Sequence, residues 1–540
     1  MTISRRDLLA KAGALSVSSA LPGCGDDEGG ETGTEGGTGD DGLPHYEFDG
    51  EPGPEDLFQH GVASGDPLPD AVILWTRVTG ATEPQVEVFF EVALDPEFTM
   101  RVAADYGMAL ADADYTAKVD VTGLDPATTY FYRFYALGRE SVVGRTRTAP
   151  SGPIERLRFG VTSCSSLAHG FFHSYRRMSE RTDLDVVLHL GDYIYEYGNG
   201  EYGDVRTYEP PTEIISLEDY RMRYSQYRRD PDLQELHRQH PIIAIWDDHE
   251  VADNAWKDGA ENHQASEGDY QERKSAAEQV YREWMPIREV APEIVYRSFS
   301  YGDLVSLILL DTRHVARDEQ ASTVQDTESI DDPARQLLGE PQEAWLEQEL
   351  GTSSARWKLV GQQVVLGQTH IAGGLPFNVD AWDGYEGART RFFDIVEANA
   401  PTNLVVLTGD IHSSWAMDLA RDPYGMGYDP QTGAGALGVE IVTPAVTAEG
   451  FTGALLNTIP SFLMENPHLH WLEGERRGYV VLDITAERVQ ATWWHVADIT
   501  TPMGGTENAA AVFAVYDGTN HLVEEAASAE PPVDAPPAAP

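Results

Sequence analysis

The sequence predicts a layered α/β core, with β-sheets flanked by helices, preceded by a small all-β sandwich domain of immunoglobulin or fibronectin type III kind. Three observations carry this. Short continuous apolar runs, VVLHLGDYIYE (186–196), IIAIWDDHE (242–250) and LVVLTGDIHSSW (404–415), have the make-up of parallel strands buried on both faces. Charged segments suited to helices, such as SLEDYRMRYSQYRR and YQERKSAAEQVYREWM, alternate with them, and that alternation signals a layered core. Ahead of these, residues 57–150 hold β-rich runs separated by turns: AVILWTRV, QVEVFFEVALD, YTAKVDV, TYFYRFYAL and SVVGRTRT. Such spacing is that of an antiparallel sandwich.

At 540 residues the chain is too long for one core. Hydrophobic content of 41% and aromatic content of 10% suffice for sizeable interiors. The formal net charge is −51, from 89 acids against 38 bases. Such a surface repels nucleic acid and anionic membranes, which argues against polyanion binding as a main role. It also attracts divalent cations, although a salty habitat or a solubility strategy would produce the same balance.

Residues 1–24 read as an export signal. Ser4-Arg5-Arg6-Asp7-Leu8-Leu9 carries a twin-arginine pair, and the weakly apolar stretch through Ala20 is too short and polar to span a bilayer. Leu21-Pro22-Gly23-Cys24 resembles a bacterial lipobox, which makes Cys24 a candidate for lipidation and membrane anchoring. Residues 25–56 form an acidic, Gly-rich linker that opens with GDDEGGETGTEGGTGDDG and reads as a flexible tether. Together these predict export by the Tat machinery of an already folded chain, giving a periplasmic, cell-surface or secreted protein.

In the sandwich, Val121-Thr122-Gly123-Leu124-Asp125-Pro126 followed by Tyr130-Phe131-Tyr132 resembles the turn-and-tyrosine stretch of fibronectin type III modules. Ala149-Pro150-Ser151-Gly152-Pro153 marks its boundary, and residues 151–523 form the larger domain. Further strands are expected at 156–166, 304–310 and 357–367, with RGYVVLDITAERVQATWWHV as a closing hairpin. Residues 524–540 are rich in Ala, Pro and Glu and are expected to be disordered.

Each of the three apolar runs stops at a knot of acidic, phenolic and imidazole side chains. In open α/β architectures ligands bind just past the carboxyl ends of strands. Asp192, Tyr195, Asp247, Asp248, His249, Asp410 and His412 therefore face one crevice. So many carboxylates repel one another unless cations lie between them, so a multi-metal hydrolytic site is predicted. Asp192 follows a glycine that permits a sharp turn, and its two oxygens suit bridging of two cations. Cys164 ends the strand RLRFGVTSCSS (156–166). It reads either as an inert buried thiol or as a metal ligand, and its strand-end position favours the second. A phenolate from Tyr195 and a thiolate on one ion favour Fe(III). Asp248 and Asp410 offer oxygens suited to Ca²⁺ or Mg²⁺ rather than Zn²⁺. His249 and His412 follow acidic residues closely enough to touch substrate or metal. Arg273 and Arg313 are candidate phosphate clamps, and loops 197–217 and 317–343 are candidate lids. A cluster of this kind polarises a phosphoryl oxygen, generates hydroxide near neutral pH and stabilises attacking and leaving oxygens, so phosphate-ester hydrolysis is the expected reaction.

Cys164 with GDYIYE (191–196), WDDHE (246–250) and GDIHSSW (409–415) resembles PhoD-type alkaline phosphatases, within the calcineurin-like metallophosphoesterases. FQHGVASGDPLPDAVILWTRV (58–78), LDTR, GQQ and TPAVTAEGF fit the same family. The resemblance runs from about Phe58 to about Val496. It implies an exported phosphomonoesterase and phosphodiesterase for phosphate scavenging, holding Fe(III) and Ca²⁺. On that resemblance Cys164, Asp192 and Tyr195 hold iron. Asp192, Asp248 and Asp410 hold calcium or bridge, with His412 a further ligand, while His249, His412 and Asp248 are the catalytic candidates. Where the wider superfamily has Gly-Asn-His-Glu, this chain reads Asp247-Asp248-His249-Glu250, which suits an oxygen-rich calcium site. The scaffold also resembles some secreted phospholipase D enzymes. A surface-tethered, calcium-stabilised binding protein without catalysis would show a gap among Cys164, Asp192, Asp248 and Asp410, and none is missing.

Overall fold

The computed structural model describes residues 41–291, 294–400 and 402–540. The expected signal segment, its lipobox Cys24 and the first part of the linker lie outside the described residues. Among the described residues no helix is long and apolar enough to cross a membrane.

In chain order the first strands are β1 (Val62–Gly65), β2 (Ala71–Arg77), β3 (Gln85–Ala93), β4 (Arg101–Leu110), β5 (Thr116–Thr122), β6 (Thr129–Ala136), β7 (Arg139–Glu140) and β8 (Gly144–Arg147). Next come β9 (Arg156–Thr162), β10 (Val186–His189), β11 (Pro241–Ala244), β12 (Arg297–Tyr301), β13 (Val305–Leu309) and β14 (Trp357–Gln362). A short ribbon, β15 (His370–Ile371) and β16 (Leu375–Pro376), precedes β17 (Leu404–Thr408), β18 (Ser414–Ala420), β19 (Ala436–Val442) and β20 (Leu469–Glu473). The last four are β21 (Arg477–Thr485), β22 (Arg488–Val496), β23 (Glu507–Tyr516) and β24 (Leu522–Glu524).

Two mixed sheets make the core. A ten-stranded sheet runs β24-β23-β22-β21-β9-β10-β11-β1-β2-β5, and a seven-stranded sheet runs β12-β13-β14-β17-β19-β18-β20. Parallel pairing joins β9, β10 and β11 in the first, and β13, β14, β17 and β19 in the second. The continuous apolar runs follow from burial on both faces. In β17, Val405 and Leu407 pack between the sheets, while Leu404 and Val406 pack with the helices Glu340–Thr352 and Glu386–Asn399 on the outer face.

The N-terminal unit differs from the expected separate sandwich. Its layers are the five strands β4-β3-β6-β7 with β8, and the end of the ten-stranded sheet itself. β1 pairs in parallel with β11 and antiparallel with β2, so the ten-stranded sheet runs on into the N-terminal unit. Alternation within β2 and β5 reads the same whether a sheet ends there or continues, which is why sequence could not show this. Tyr130 still makes a corner of the expected kind, its hydroxyl accepting a hydrogen bond from the Asp125 backbone N–H at 2.8 Å. Asp66, just past β1, forms a buried bidentate pair with Arg297 of β12, at 2.7 and 2.9 Å, and so ties the two sheets together.

Two segments expected to be loose are docked. Within the linker, Asp41 pairs with Arg101, and Tyr46 packs its ring on Phe89 and Tyr135 while its hydroxyl accepts from Gly138 N–H. In the tail, the Glu530 carbonyl accepts from Arg156 and Arg158, Ala529 N–H donates to Gln490, and Ala539 N–H donates to Gln239. These contacts use the tail's backbone and the body's side chains, so the composition of 524–540 carries no trace of them.

A Cβ built on Gly65 would lie 2.2 Å from the Pro286 carbonyl oxygen and 2.6 Å from that of Ile242. Gly65→Ala is therefore expected to prise β1 from β11 and cost about 1–3 kcal/mol, read as a lower denaturation midpoint for the whole chain rather than for a separate N-terminal unit.

Candidate metal centre

The carboxyl ends of β9, β10 and β11 from one sheet meet those of β13 and β17 from the other. Past β9 stands Cys164, past β10 Asp192 and Tyr195, past β11 Asp247, Asp248 and His249, and past β17 Asp410 and His412. Four of these residues, Cys164, Asp192, Asp410 and His412, have left-handed backbones with φ of 61°, 55°, 60° and 55°. Such a conformation costs a non-glycine residue about 1–2 kcal/mol. Its recurrence in four residues at three strand ends around one point is the pattern of a site that over-determines its backbone. Gly191 makes the approach to Asp192 feasible, because a Cβ there would lie 2.4 Å from Asp247 Cβ.

Local hydrogen bonds fix each turn. The Glu250 carboxylate accepts from three backbone N–H groups: Tyr193 at 2.6 Å, Asp247 at 2.8 Å and Asp192 at 3.2 Å. It thereby locks the turns after β10 and β11 to each other. Cys164 N–H donates to the Gly191 carbonyl, and the Cys164 carbonyl accepts from Thr447 and Ala448 in the TPAVTAEGF segment. Asp311, past β13, accepts from Arg313 N–H, His314 N–H and the Trp246 indole, and so aims Arg313 inward.

Two groupings of donor atoms result. In the first, Cys164 Sγ, an Asp192 oxygen and a His412 ring nitrogen lie within 4.8 Å of one another. Tyr195 completes it, its hydroxyl donating to Asp192 Oδ2 at 2.9 Å and lying 3.2 Å from His412 Nε2. His412 Nδ1 is 2.8 Å from the Glu449 carbonyl. A carbonyl only accepts, so Nδ1 carries the proton and the Nε2 lone pair faces the cluster. Burial takes the His412 pKa down to about 3, keeping it neutral. Burial likewise pushes the Cys164 thiol far up, with Asp192 adding to it, which is the inert state a cation would reverse.

The second grouping is carboxylate-rich: Asp192, Asp248 and His249 within 4.8 Å, and Asp247, Asp248 and Asp410 likewise. Burial raises Asp192 and Asp247 well above the carboxylate range, and takes Asp410 to about 7. Asp248 is held below its ordinary range, because Arg313, His249 and the Asn254 N–H at 2.6 Å overcome its burial. Asp192 Oδ1 and Asp247 Oδ2 are buried without any hydrogen-bond partner. Orphaned carboxylate oxygens among like charges are what an oxygen-seeking cation satisfies, so the residues present fit metal ions.

Arg313 is neither a surface arginine nor a free phosphate clamp. It is fully buried and donates to Asp247 at 2.5 Å, Asp410 at 2.6 Å and Asp380 at 2.7 Å. Asp380 was not singled out in the sequence. It lies in the loop after the two-residue strand β16, which has no apolar run to mark it, and Arg317 pairs with its other oxygen. Arg273 is withdrawn from the site altogether. From the helix Tyr270–Trp284 it donates to the Tyr220 hydroxyl, the Asn262 carbonyl and Glu213.

His249 sits against the Tyr195 ring, centroids 4.1 Å apart, with Nδ1 2.7 Å from Glu196. Its burial would favour the neutral ring, but Glu196, Asp248 and Asp192 outweigh that and hold it protonated. Its Nε2 is 3.9 Å from Asp253, beyond hydrogen-bonding reach. Of the two candidate lids, 197–217 lines the site. Tyr202 stacks on Tyr195, and buried Arg223 pins the segment through the Tyr195, Tyr197, Glu209 and Pro210 carbonyls. Segment 317–343 carries the short helix Thr327–Ile330 and is anchored through Asp318, which pairs with Lys257.

Residues 159–493 match the family model described as PhoD-like phosphatase, and residues 47–150 match that family's N-terminal domain. The chain is 37% identical over 468 residues to alkaline phosphatase D of Bacillus subtilis (strain 168), covering 82% of this chain and 78% of that protein. A solved structure titled "Structure of PhoD" superposes with a TM-score of 0.80 at 34% identity, covering 90% of this chain and 94% of that one.

The Glu250 clamp has a measurable consequence. In Glu250→Gln one amide edge must oppose a backbone N–H, whichever way the side chain is flipped. The turn carrying Asp192 should loosen, and metal affinity should fall about 10–100-fold, read as metal content after dialysis at matched folded fraction.

Proposed function

The chain belongs to the PhoD-like phosphatase family, and from that premise we propose that it is an alkaline phosphatase hydrolysing phosphate mono- and diesters with Fe(III) and Ca²⁺. The observation that carries this reading is the convergence of four left-handed residues, at three strand ends, on one cluster of thiol, phenol, imidazole and partnerless carboxylate oxygens. Cys164, Asp192, Tyr195 and His412 would hold the iron, since a thiol and a phenol together suit a hard, highly charged ion. Asp192, Asp248 and Asp410 would hold calcium through oxygen. When bound, the cations supply charge neutralisation for the phosphoryl oxygens and acidify attacking water.

The chain's own residues do the remaining work. Arg313 holds Asp247 and Asp410 in place and carries positive charge beside the phosphoryl position. His249, kept as an imidazolium, presents Nε2–H to a phosphoryl or leaving-group oxygen, and Glu196 fixes its ring. Tyr202 and Tyr195 wall the pocket and exclude water from one side. The N-terminal unit is read as a fibronectin-like layer supporting β11. Export by the Tat route and lipidation of Cys24 complete the proposal and place the enzyme where phosphate esters are scavenged. A Cys24→Ser chain is expected to move from the detergent phase to the aqueous phase.

Hydrolysis of p-nitrophenyl phosphate and of its bis-ester, with calcium added or chelated, tests the reading. Calcium-dependent release of p-nitrophenol is expected, and Cys164→Ser should lose iron and turnover together. No turnover of either ester by protein shown to contain both metals would overturn it. His249→Gln should lower kcat by about 100–10,000-fold with metal content unchanged.

A further inference from the structure

A second grouping of metal-binding side chains stands outside the site described above. Asp418 lies in the middle of β18 with its side chain fully buried. It shares a strand face with Ser414 and Ala416. Ala416 belongs to the core between the two sheets, and Ser414 meets His495 of β22 across it. An apolar side chain is the expected occupant of that face, since a lone carboxylate is strongly disfavoured away from water. Instead, two imidazoles from other parts of the chain converge on Asp418: His470 of β20, in the same sheet, and His521, just ahead of β24 in the other.

One donor atom from each residue lies within 4.8 Å of the other two. His521 Nδ1 is 2.7 Å from Asp418 Oδ2, and His470 Nε2 is 3.1 Å from Asp418 Oδ1. His470 Nε2 is buried, yet its approach to Asp418 lacks hydrogen-bond geometry. The carboxylate is held in place by Leu522 N–H on Oδ1 and the Tyr428 hydroxyl on Oδ2, both at 2.9 Å. These are the outer contacts that orient a ligating carboxylate. The turn Asp429–Ala434 makes room for the second imidazole, because a Cβ on Gly433 would lie 2.4 Å from His521 Cβ. Both imidazoles keep partial solvent access, at 16% and 19% of their side-chain surface, so an ion can enter.

We propose that Asp418, His470 and His521 form a second metal site, which takes a divalent transition ion of the zinc type and staples the edges of the two sheets together. Two imidazole nitrogens and one carboxylate suit zinc rather than calcium, so this site selects a different ion from the oxygen-rich centre. The fourth position is left to water beside the Tyr428 hydroxyl. Asp418 is four residue steps along the strand from Ser414, about 13 Å at 3.3 Å per residue, which keeps the ion away from the catalytic groups.

The test compares the full chain with His470→Ala and His521→Ala after loading with iron and calcium, equilibration with Zn²⁺ and gel filtration. The wild type is expected to retain about one more zinc per chain than either variant, the difference expected of one three-ligand site. Its thermal midpoint should rise with Zn²⁺ where theirs does not, with p-nitrophenyl phosphate turnover alike in all three. Zinc X-ray absorption on the wild type reads the site even if a variant fails to fold. A nitrogen and oxygen shell with imidazole scattering and no sulfur supports the proposal. Equal zinc retention in all three chains, or zinc held only with sulfur, overturns it and leaves a hydrogen-bonded cluster.

Discussion

Arg313 is fully buried among Asp247, Asp380 and Asp410, and the charge it carries is what lets these carboxylates share one pocket. Like charges packed this closely in a low dielectric cannot all ionise without compensation. One guanidinium cannot neutralise them all. Arg317 takes part of the burden through Asp380, and His249 is held protonated on the far side by Glu196, Asp248 and Asp192. The uncompensated charge then falls on the face where Asp192 and Asp247 keep partnerless oxygens. The protein thus fixes, by where it spends its own cations, where foreign cations are needed.

That arrangement needs a rigid frame, because the strand ends come from two different sheets. Left-handed turns at Cys164, Asp192, Asp410 and His412 point side chains at a common centre instead of along each strand. Their conformational cost is met by the Glu250 clamp and by close packing at Gly191. Further out, the Asp66–Arg297 pair holds the sheets together, and β1 supports the edge of β11. The N-terminal unit therefore belongs to the frame of the site and is not an appendage to it.

The Asp418 cluster obeys the same rule with different chemistry. A carboxylate buried between sheets must find a partner. Here the partners are imidazoles and a phenol hydroxyl, where the main site uses a guanidinium. Two imidazoles with one carboxylate in one place, and mainly oxygen and sulfur donors in the other, suit the two groupings to different ions within one fold.

Sequence by itself determined the strand identities and the residues at their ends. Both follow from local signals: an apolar run too short for a helix, then a turn, then a group able to bind a cation. Cys164, Asp192, Tyr195, Asp247, Asp248, His249, Asp410 and His412 were all legible this way. Arg313 was legible as a candidate but not as a counter-ion, because an arginine's role depends on which carboxylates surround it. Asp380 and the Asp418 cluster left no local signal. Asp380 sits in a loop, and Asp418, His470 and His521 are separated by about 50 residues at each step. The docked tail was misread because side chains elsewhere satisfy its backbone, and composition cannot report that. Only the tertiary structure decided that two sheets face each other, that one runs on into the N-terminal unit, and which buried charges meet. Those are long-range pairings, set by packing and by the need to neutralise buried charge, and no window of sequence contains both partners.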